Sequence, residues 1–129
     1  MIQIYLYINA IFYFVFSVWC VIKLYVTSNF LGYQFVNNSG KVEYITLYGG
    51  MQLGFSVFFL IMAYYPSFNN AGLIFSVAIY SCIIVLRTIS ALYFGNIQNA
   101  TYMVGALEYS LCVWGIILLV NNFKNIMLT

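Results

Sequence analysis

The 129 residues of this chain are enough for one domain, and 65% of them are hydrophobic while 5% are charged. A soluble domain carries about 25% charged residues, so this composition excludes an ordinary water-soluble fold. The formal net charge of +2 is scattered along the chain, and without a basic run nucleic-acid binding is excluded as well.

Four apolar stretches follow one another, and each is long enough to cross the core of a bilayer as a helix of about 20 residues. We predict these helices at about 2–24, 42–64, 71–94 and 100–120. Turn-forming residues at 66–70 and 95–99 join the last three through short connections, so these helices are antiparallel neighbours. The connection 25–41 is longer and has room for a small structure of its own.

The predicted fold is therefore an all-α membrane protein with a single domain, a four-transmembrane-helix antiparallel bundle. The first stretch lacks a basic N-terminal region and a small-residue cleavage site before Lys23, so we expect it to be retained rather than removed as a signal peptide. Lysines are nearly balanced between the two predicted faces, so the positive-inside rule leaves the orientation open.

Two charged residues lie deep inside the apolar stretches, Arg87 in the third and Glu108 in the fourth. At about 1.5 Å per residue, Arg87 lies about 10 Å and Glu108 about 12 Å from the turn that joins their helices. Charges at membrane depth normally face the bundle interior and pair with one another. The sequence therefore predicts a buried ion pair between these two residues.

Further polar residues of the second helix enter from the same membrane side. Glu43, Tyr48 and Gln52 are predicted to converge with the ion pair in one half of the bilayer, while the other half of the bundle is nearly all apolar. Tyr80 in the third helix is kept as a further candidate site residue. Two interpretations of the cluster stay open: a hydrogen-bonded network that fixes helix register, or the lining of a ligand cavity.

Small residues predict where the helices approach one another closely. The candidate packing positions are Gly49, Gly50, Gly54, Gly105 and Gly115. Gly105 and Gly115 share one helical face with Glu108. Gly50 and Gly54 form a G-x-x-x-G spacing, for which packing within the bundle is favoured over the seam of a homodimer.

The polar motifs also resemble those of a known family. The resemblance rests on Glu43-Tyr44, Tyr48-Gly49-Gly50-Met51-Gln52-Leu53-Gly54, Arg87 and Glu108. These residues resemble an uncharacterised bacterial family of small four-helix membrane proteins with a Tyr-Gly-Gly motif in the second helix, distantly DoxX-like. The resemblance covers essentially the whole chain. It implies a bacterial inner-membrane location and a four-helix bundle, and it implies no activity.

Three functions are compatible with these patterns. The first is binding of a lipid-like or small amphiphilic ligand within the bundle, with Arg87 as the anchor, Glu108 orienting it and a cavity that opens towards the connection 25–41. The second is a non-catalytic accessory or assembly subunit, with a membrane-protein partner. The third is a small proton-coupled transporter that acts as a homodimer, against which the absence of a carboxylate in the first helix counts.

An enzyme is the least supported class. The chain contains no histidine, and Cys20, Cys82 and Cys112 lie singly in apolar runs, so neither a metal site nor a cofactor is predicted. No nucleotide-binding loop or nucleophile–base motif is present in the sequence.

Overall fold

The computed structural model describes residues 1–127, and within them every regular element is helical, as the predicted all-α class requires. The helices are α1 (Ile2–Ile22), α2 (Leu24–Leu31), α3 (Asn38–Tyr44), α4 (Gln52–Tyr64), α5 (Asn69–Phe94) and α6 (Asn99–Met127). A π-helical segment, Ile45–Met51, joins α3 to α4, and a 3₁₀ turn, Pro66–Phe68, precedes α5. Because α3, the π-helical segment and α4 form one continuous helix, the described chain has four long helices and one short one, α2.

The four long helices are each long and apolar enough to cross a membrane. Their bounds are Ile2–Ile22, Asn38–Tyr64, Pro66–Phe94 and Asn99–Lys124. The second helix begins four residues before the predicted start, because the Asn37 side chain accepts a hydrogen bond from the Gly40 amide at 3.0 Å and caps it.

The short helix α2 is the one element that a four-helix description leaves out. It lies in the predicted connection 25–41 and ends at Gly32, whose φ of 83° lies in the left-handed region. The hydroxyl groups of Thr27 and Ser28 donate to backbone carbonyls of the same turn, so both side chains are buried with their polar groups paired. The connection, for which the sequence left room for a small structure of its own, therefore holds a short helix with a buried polar face.

The helices pack as two pairs, α1 along α4 and α5 along α6. The pairs meet in one core near the Pro66–Phe68 turn, made by the first half of α1, the end of α4, the first half of α5 and the second half of α6. Away from this core the α5 helix becomes exposed, and Leu92 reaches 82% exposure. We call the end that holds this core the closed end, and the other, where the second half of α5 is left uncovered, the open end.

The closed end contains a network of buried polar side chains that joins α1, α5 and α6 to one another. The Tyr80 hydroxyl of α5 donates to Asn9 Oδ1 of α1 at 2.6 Å, and Asn9 Nδ2 donates to the Tyr5 carbonyl at 2.8 Å. The Tyr5 hydroxyl donates to the Leu111 carbonyl of α6 at 3.1 Å and accepts from Ser76 at 3.2 Å. The prediction that this half of the bundle is nearly all apolar is wrong, since it holds this network of internally paired polar groups.

Two glycines of α5 and α6 allow the close contacts of this core. A Cβ on Gly115 would lie 2.7 Å from the Tyr5 hydroxyl oxygen, as expected for a predicted packing position. A Cβ on Gly72, which the sequence did not single out, would lie 2.7 Å from Met62 Cβ. Both approaches are shorter than a carbon atom tolerates, so the neighbouring helices would have to separate to admit a side chain.

We expect Gly72→Ala to lower the melting temperature of the detergent-solubilised protein, because the added methyl meets Met62 Cβ beside the rigid backbone. The loss should correspond to about 1–3 kcal/mol, as for other overpacked cores. Gly54→Ala is the matched control: it has no atom within 4 Å, so it should be neutral or stabilise the helix by up to about 1 kcal/mol. Equal melting temperatures for the two variants would contradict the packing at Gly72.

Tyr80→Phe should destabilise the protein by about 1–3 kcal/mol, because the Asn9 side-chain oxygen loses its donor in a fully buried position. Tyr102→Phe provides the control, since Tyr102 is 61% exposed. The check is thermal unfolding in one detergent. A Tyr80→Phe protein that melts with the wild type would show that the hydrogen bond contributes nothing to joining α1 and α5.

Candidate functional site

The Arg87 and Glu108 side chains pair as the sequence predicts. Arg87 Nε lies 2.6 Å from Glu108 Oε2 and Arg87 Nη2 lies 2.8 Å from Oε1, so the carboxylate takes the side edge of the guanidinium through two hydrogen bonds. Such bidentate pairs fix geometry as well as charge. The two residues come from adjacent antiparallel helices at matching distances from the connecting turn.

The predicted burial of this pair is wrong. The Arg87 side chain is 28% exposed and the Glu108 side chain 14%, so both are half-buried. The reason is tertiary: the pair lies at the open end of the bundle, where α5 and α6 pack on each other and α1 and α4 do not cover them fully. A matching depth on two helices predicts that two side chains meet and does not predict what covers them.

Gly105 leaves room for the Arg87 side chain beside α6, as its predicted place at a helix contact suggests. A Cβ at this position would lie 3.2 Å from Arg87 Cδ, so the missing side chain leaves a path across α6. The Arg87 side chain follows that path and reaches Glu108, which lies one helical turn further along α6.

An open groove of about 450 Å³ lies beside the ion pair. Its walls come from the second half of α5, the start of α6, the loop between them, the connection between α2 and α3, and the π-helical segment. The lining residues are Tyr33, Tyr48, Ile83, Leu86, Arg87, Ser90, Ala91, Phe94, Ile97 and Thr101. Arg87 is the single charged residue among them, and its partner Glu108 does not line the groove.

Tyr48 is the second predicted site residue that the structure places here. Its hydroxyl lies 2.5 Å from the hydroxyl of Tyr33, which reaches over from the connection between α2 and α3. Tyr44 packs against both rings, with centroid distances of 4.7 Å to Tyr48 and 5.7 Å to Tyr33. This aromatic cluster holds the connection against the π-helical segment and forms one rim of the groove.

Three other predicted site residues do not join the groove. Tyr80 is 1% exposed and belongs to the hydrogen-bonded core at the closed end. Glu43 is exposed and makes no ion pair with any described residue. Gln52 is half-buried and does not line the groove. The predicted convergence of five polar residues is thus reduced to Arg87, Glu108 and Tyr48.

The prediction that Gly50 and Gly54 pack within the bundle is wrong. Gly49 faces α1: its carbonyl accepts from Ser17 Oγ at 2.8 Å, and a Cβ there would lie 2.7 Å from Val21 Cγ2. It shares one helical face with the buried Ser56, Phe59 and Ala63 of α4. Gly50 and Gly54 face away from the other helices, and a Cβ at either position would have no described atom within 4 Å.

The sequence did not identify Tyr33, Ser90 or Thr101 as groove residues. Tyr33 lies in a connection that hydropathy cannot place relative to the helices. Ser90 is one turn beyond Arg87 on α5, and this spacing was the available signal for it. Thr101 lies one turn before Gly105 on α6, on the helical face of Glu108, and this spacing was the available signal for it.

The chemistry of the groove suits binding. Guanidinium and hydroxyl groups donate hydrogen bonds at one place, and apolar side chains line the rest. Among the described residues, no three His, Cys, Asp or Glu side chains are grouped as metal ligands would be.

Comparisons of the chain with protein-family models, with curated proteins and with solved structures found no match. The resemblance to a DoxX-like family therefore stays a prediction from the motifs.

A double-mutant cycle of Arg87→Met and Glu108→Gln should give a coupling energy above the roughly 1 kcal/mol of exposed ion pairs. It should stay below the roughly 3–5 kcal/mol lost when a fully buried pair is broken, because both side chains are half-buried. Unfolding free energies of the four proteins in one detergent provide the test. Additive effects of the two substitutions would mean that the pair contributes nothing to stability.

Proposed function

We propose that this chain is an integral membrane protein of the bacterial inner membrane that binds a lipid-like amphiphile in the groove beside Arg87. Four helices of spanning length support the membrane assignment, and so do the many large hydrophobic side chains on the outer surface. The bacterial inner membrane follows from the family resemblance alone.

The groove carries the proposal, because its lining is itself amphiphilic. Arg87, Tyr48, Ser90 and Thr101 supply polar groups, and leucine, isoleucine, alanine and phenylalanine side chains supply the remaining wall. Ligand sites for small molecules combine a mostly apolar lining with a few polar groups in this way. Tyr33 of the connection 25–41 lines the groove, so the groove lies at the end of the bundle where the binding hypothesis expects its cavity.

The depth of Arg87 is suited to a molecule with a polar head and an apolar tail. At about 1.5 Å per residue the 26 residues of α5 are about 39 Å long, and the hydrocarbon core of a bilayer is about 30 Å thick. If α5 extends equally on both sides, Arg87 lies about 7 Å inside the hydrocarbon boundary. Long basic side chains at that depth reach towards the headgroups.

A second candidate function, an accessory subunit, is favoured by one observation. Gly50 and Gly54 leave an open, small-residue face on the outside of the second long helix. Such faces let a helix of another protein approach closely within a bilayer. The two functions are compatible, since this face and the Arg87 groove use different residues.

The test of the proposed function is native mass spectrometry of protein extracted gently from its host membrane. We expect a stoichiometric adduct on the wild type and its loss in Ala91→Phe, because the larger side chain fills the groove. Ala106→Phe is the control, since Ala106 lines a different surface groove between α1 and α6. A wild type that carries bulk lipid alone, or an adduct that Ala91→Phe retains, would contradict binding in this groove.

A further inference from the structure

We infer that the ligand of the groove is a lipid with an anionic phosphodiester headgroup, bound by the guanidinium edge of Arg87 that Glu108 leaves free. This inference rests on the proposed function and specifies the class of its ligand. It depends on three properties of the groove: the unused donors, the sign of the charge and the number of elements that contribute donors.

The guanidinium of Arg87 keeps donors that no described residue uses. It has five N–H groups, and Glu108 accepts from Nε and from one hydrogen of Nη2. The second hydrogen of Nη2 and both hydrogens of Nη1 have no acceptor among the described side chains and carbonyls. Because Arg87 lines the groove, these donors are accessible to a ligand there.

Hydroxyl groups of the same lining add donors. The Tyr33 and Tyr48 hydroxyls share one hydrogen bond, which uses the hydrogen of one phenol and leaves that of the other. Ser90 and Thr101 also line the groove, and their hydroxyls have no partner among the described residues. Donors therefore come from α5, from α6 and from the Tyr33–Tyr48 pair.

The free donors of the lining favour an anion. Arg87 is the one charged residue among those that line the groove, and Glu108 occupies its Nε–Nη2 edge and leaves the Nη1 donors free. A carboxylate ligand has two acceptor oxygens, whereas a phosphodiester has two anionic oxygens and further ester oxygens. Donors on three elements are better matched by the larger acceptor set, and hydrogen bonds to an anion are the strong ones. The apolar wall beside Ile83 and Leu86 then takes the first part of an acyl chain.

The experiment is native mass spectrometry of delipidated protein in detergent, with equimolar dioleoyl phosphatidylglycerol, dioleoylglycerol and oleate as competing probes. We expect phosphatidylglycerol to be retained about tenfold or more over dioleoylglycerol, the preference that one charge-assisted contact gives. In Arg87→Gln the preference should disappear. Oleate that binds as well as phosphatidylglycerol would overturn the phosphodiester assignment.

Two further variants control for general charge effects and for misfolding. Lys23→Gln removes one positive charge at the same end of the bundle but outside the groove, and it should keep the preference. The double variant Arg87→Gln/Glu108→Gln avoids an unmatched charge and preserves a neutral hydrogen-bonded pair, so it should fold and lose the preference. A double variant that still selects phosphatidylglycerol would overturn the role of Arg87.

Adding soluble glycerophosphoglycerol tests whether the bound phosphodiester belongs to a lipid or to a soluble molecule. We expect it not to displace phosphatidylglycerol at equal concentration, because it lacks the acyl chain that the apolar wall binds. Displacement would overturn the assignment to a lipid.

The failures of the two proposals are distinguishable. If phosphatidylglycerol and dioleoylglycerol bind equally and both are lost in Ala91→Phe, the groove binds amphiphiles and the headgroup inference fails. If no probe is retained, or if all are retained in Ala91→Phe, both the headgroup inference and the proposed function fail.

Discussion

The structure depends on the hydrogen-bonded contact of Tyr5, Asn9 and Tyr80 at the closed end of the bundle. In a chain with so few charges, apolar surface alone gives little preference for one helix arrangement over another within a bilayer. Hydroxyl and amide groups with specific hydrogen-bond partners do give such a preference, because leaving one of these groups unpaired in an apolar environment is costly. Tyr5 links α1 to α6 through the Leu111 carbonyl, and Tyr80 links α5 to α1.

The open end follows from this arrangement. The helix pairs share a core near the Pro66–Phe68 turn, and towards the connection 25–41 the α5 helix is no longer covered by α1 and α4. Arg87 and Glu108 lie where this cover ends, so their pair is half-buried and Arg87 borders a groove. An ion pair in the closed core would serve helix register alone. At the open end the same pair holds an arginine in a fixed position with donors still available.

The π-helical segment controls the other side of the groove. Gly49 of this segment lies against α1, and the hydroxyl of Tyr48 meets that of Tyr33. A regular α-helix through the same residues would present different faces to α1 and to the groove. Irregular helical turns of this kind are common at functional sites, and here the segment coincides with the Tyr-Gly-Gly motif.

The sequence by itself determined the all-α class, the approximate positions of four long apolar helices and the pairing of Arg87 with Glu108. These features depend on local quantities: the length of apolar runs and the rise per residue of two helices joined by a short turn. The tertiary structure alone decided that the pair is half-buried, that Tyr80 belongs to the core and that Gly49, not Gly50 or Gly54, faces α1. Those outcomes depend on which helix packs against which and on how much of each helix its neighbours cover, and these contacts are not set by local quantities along the chain.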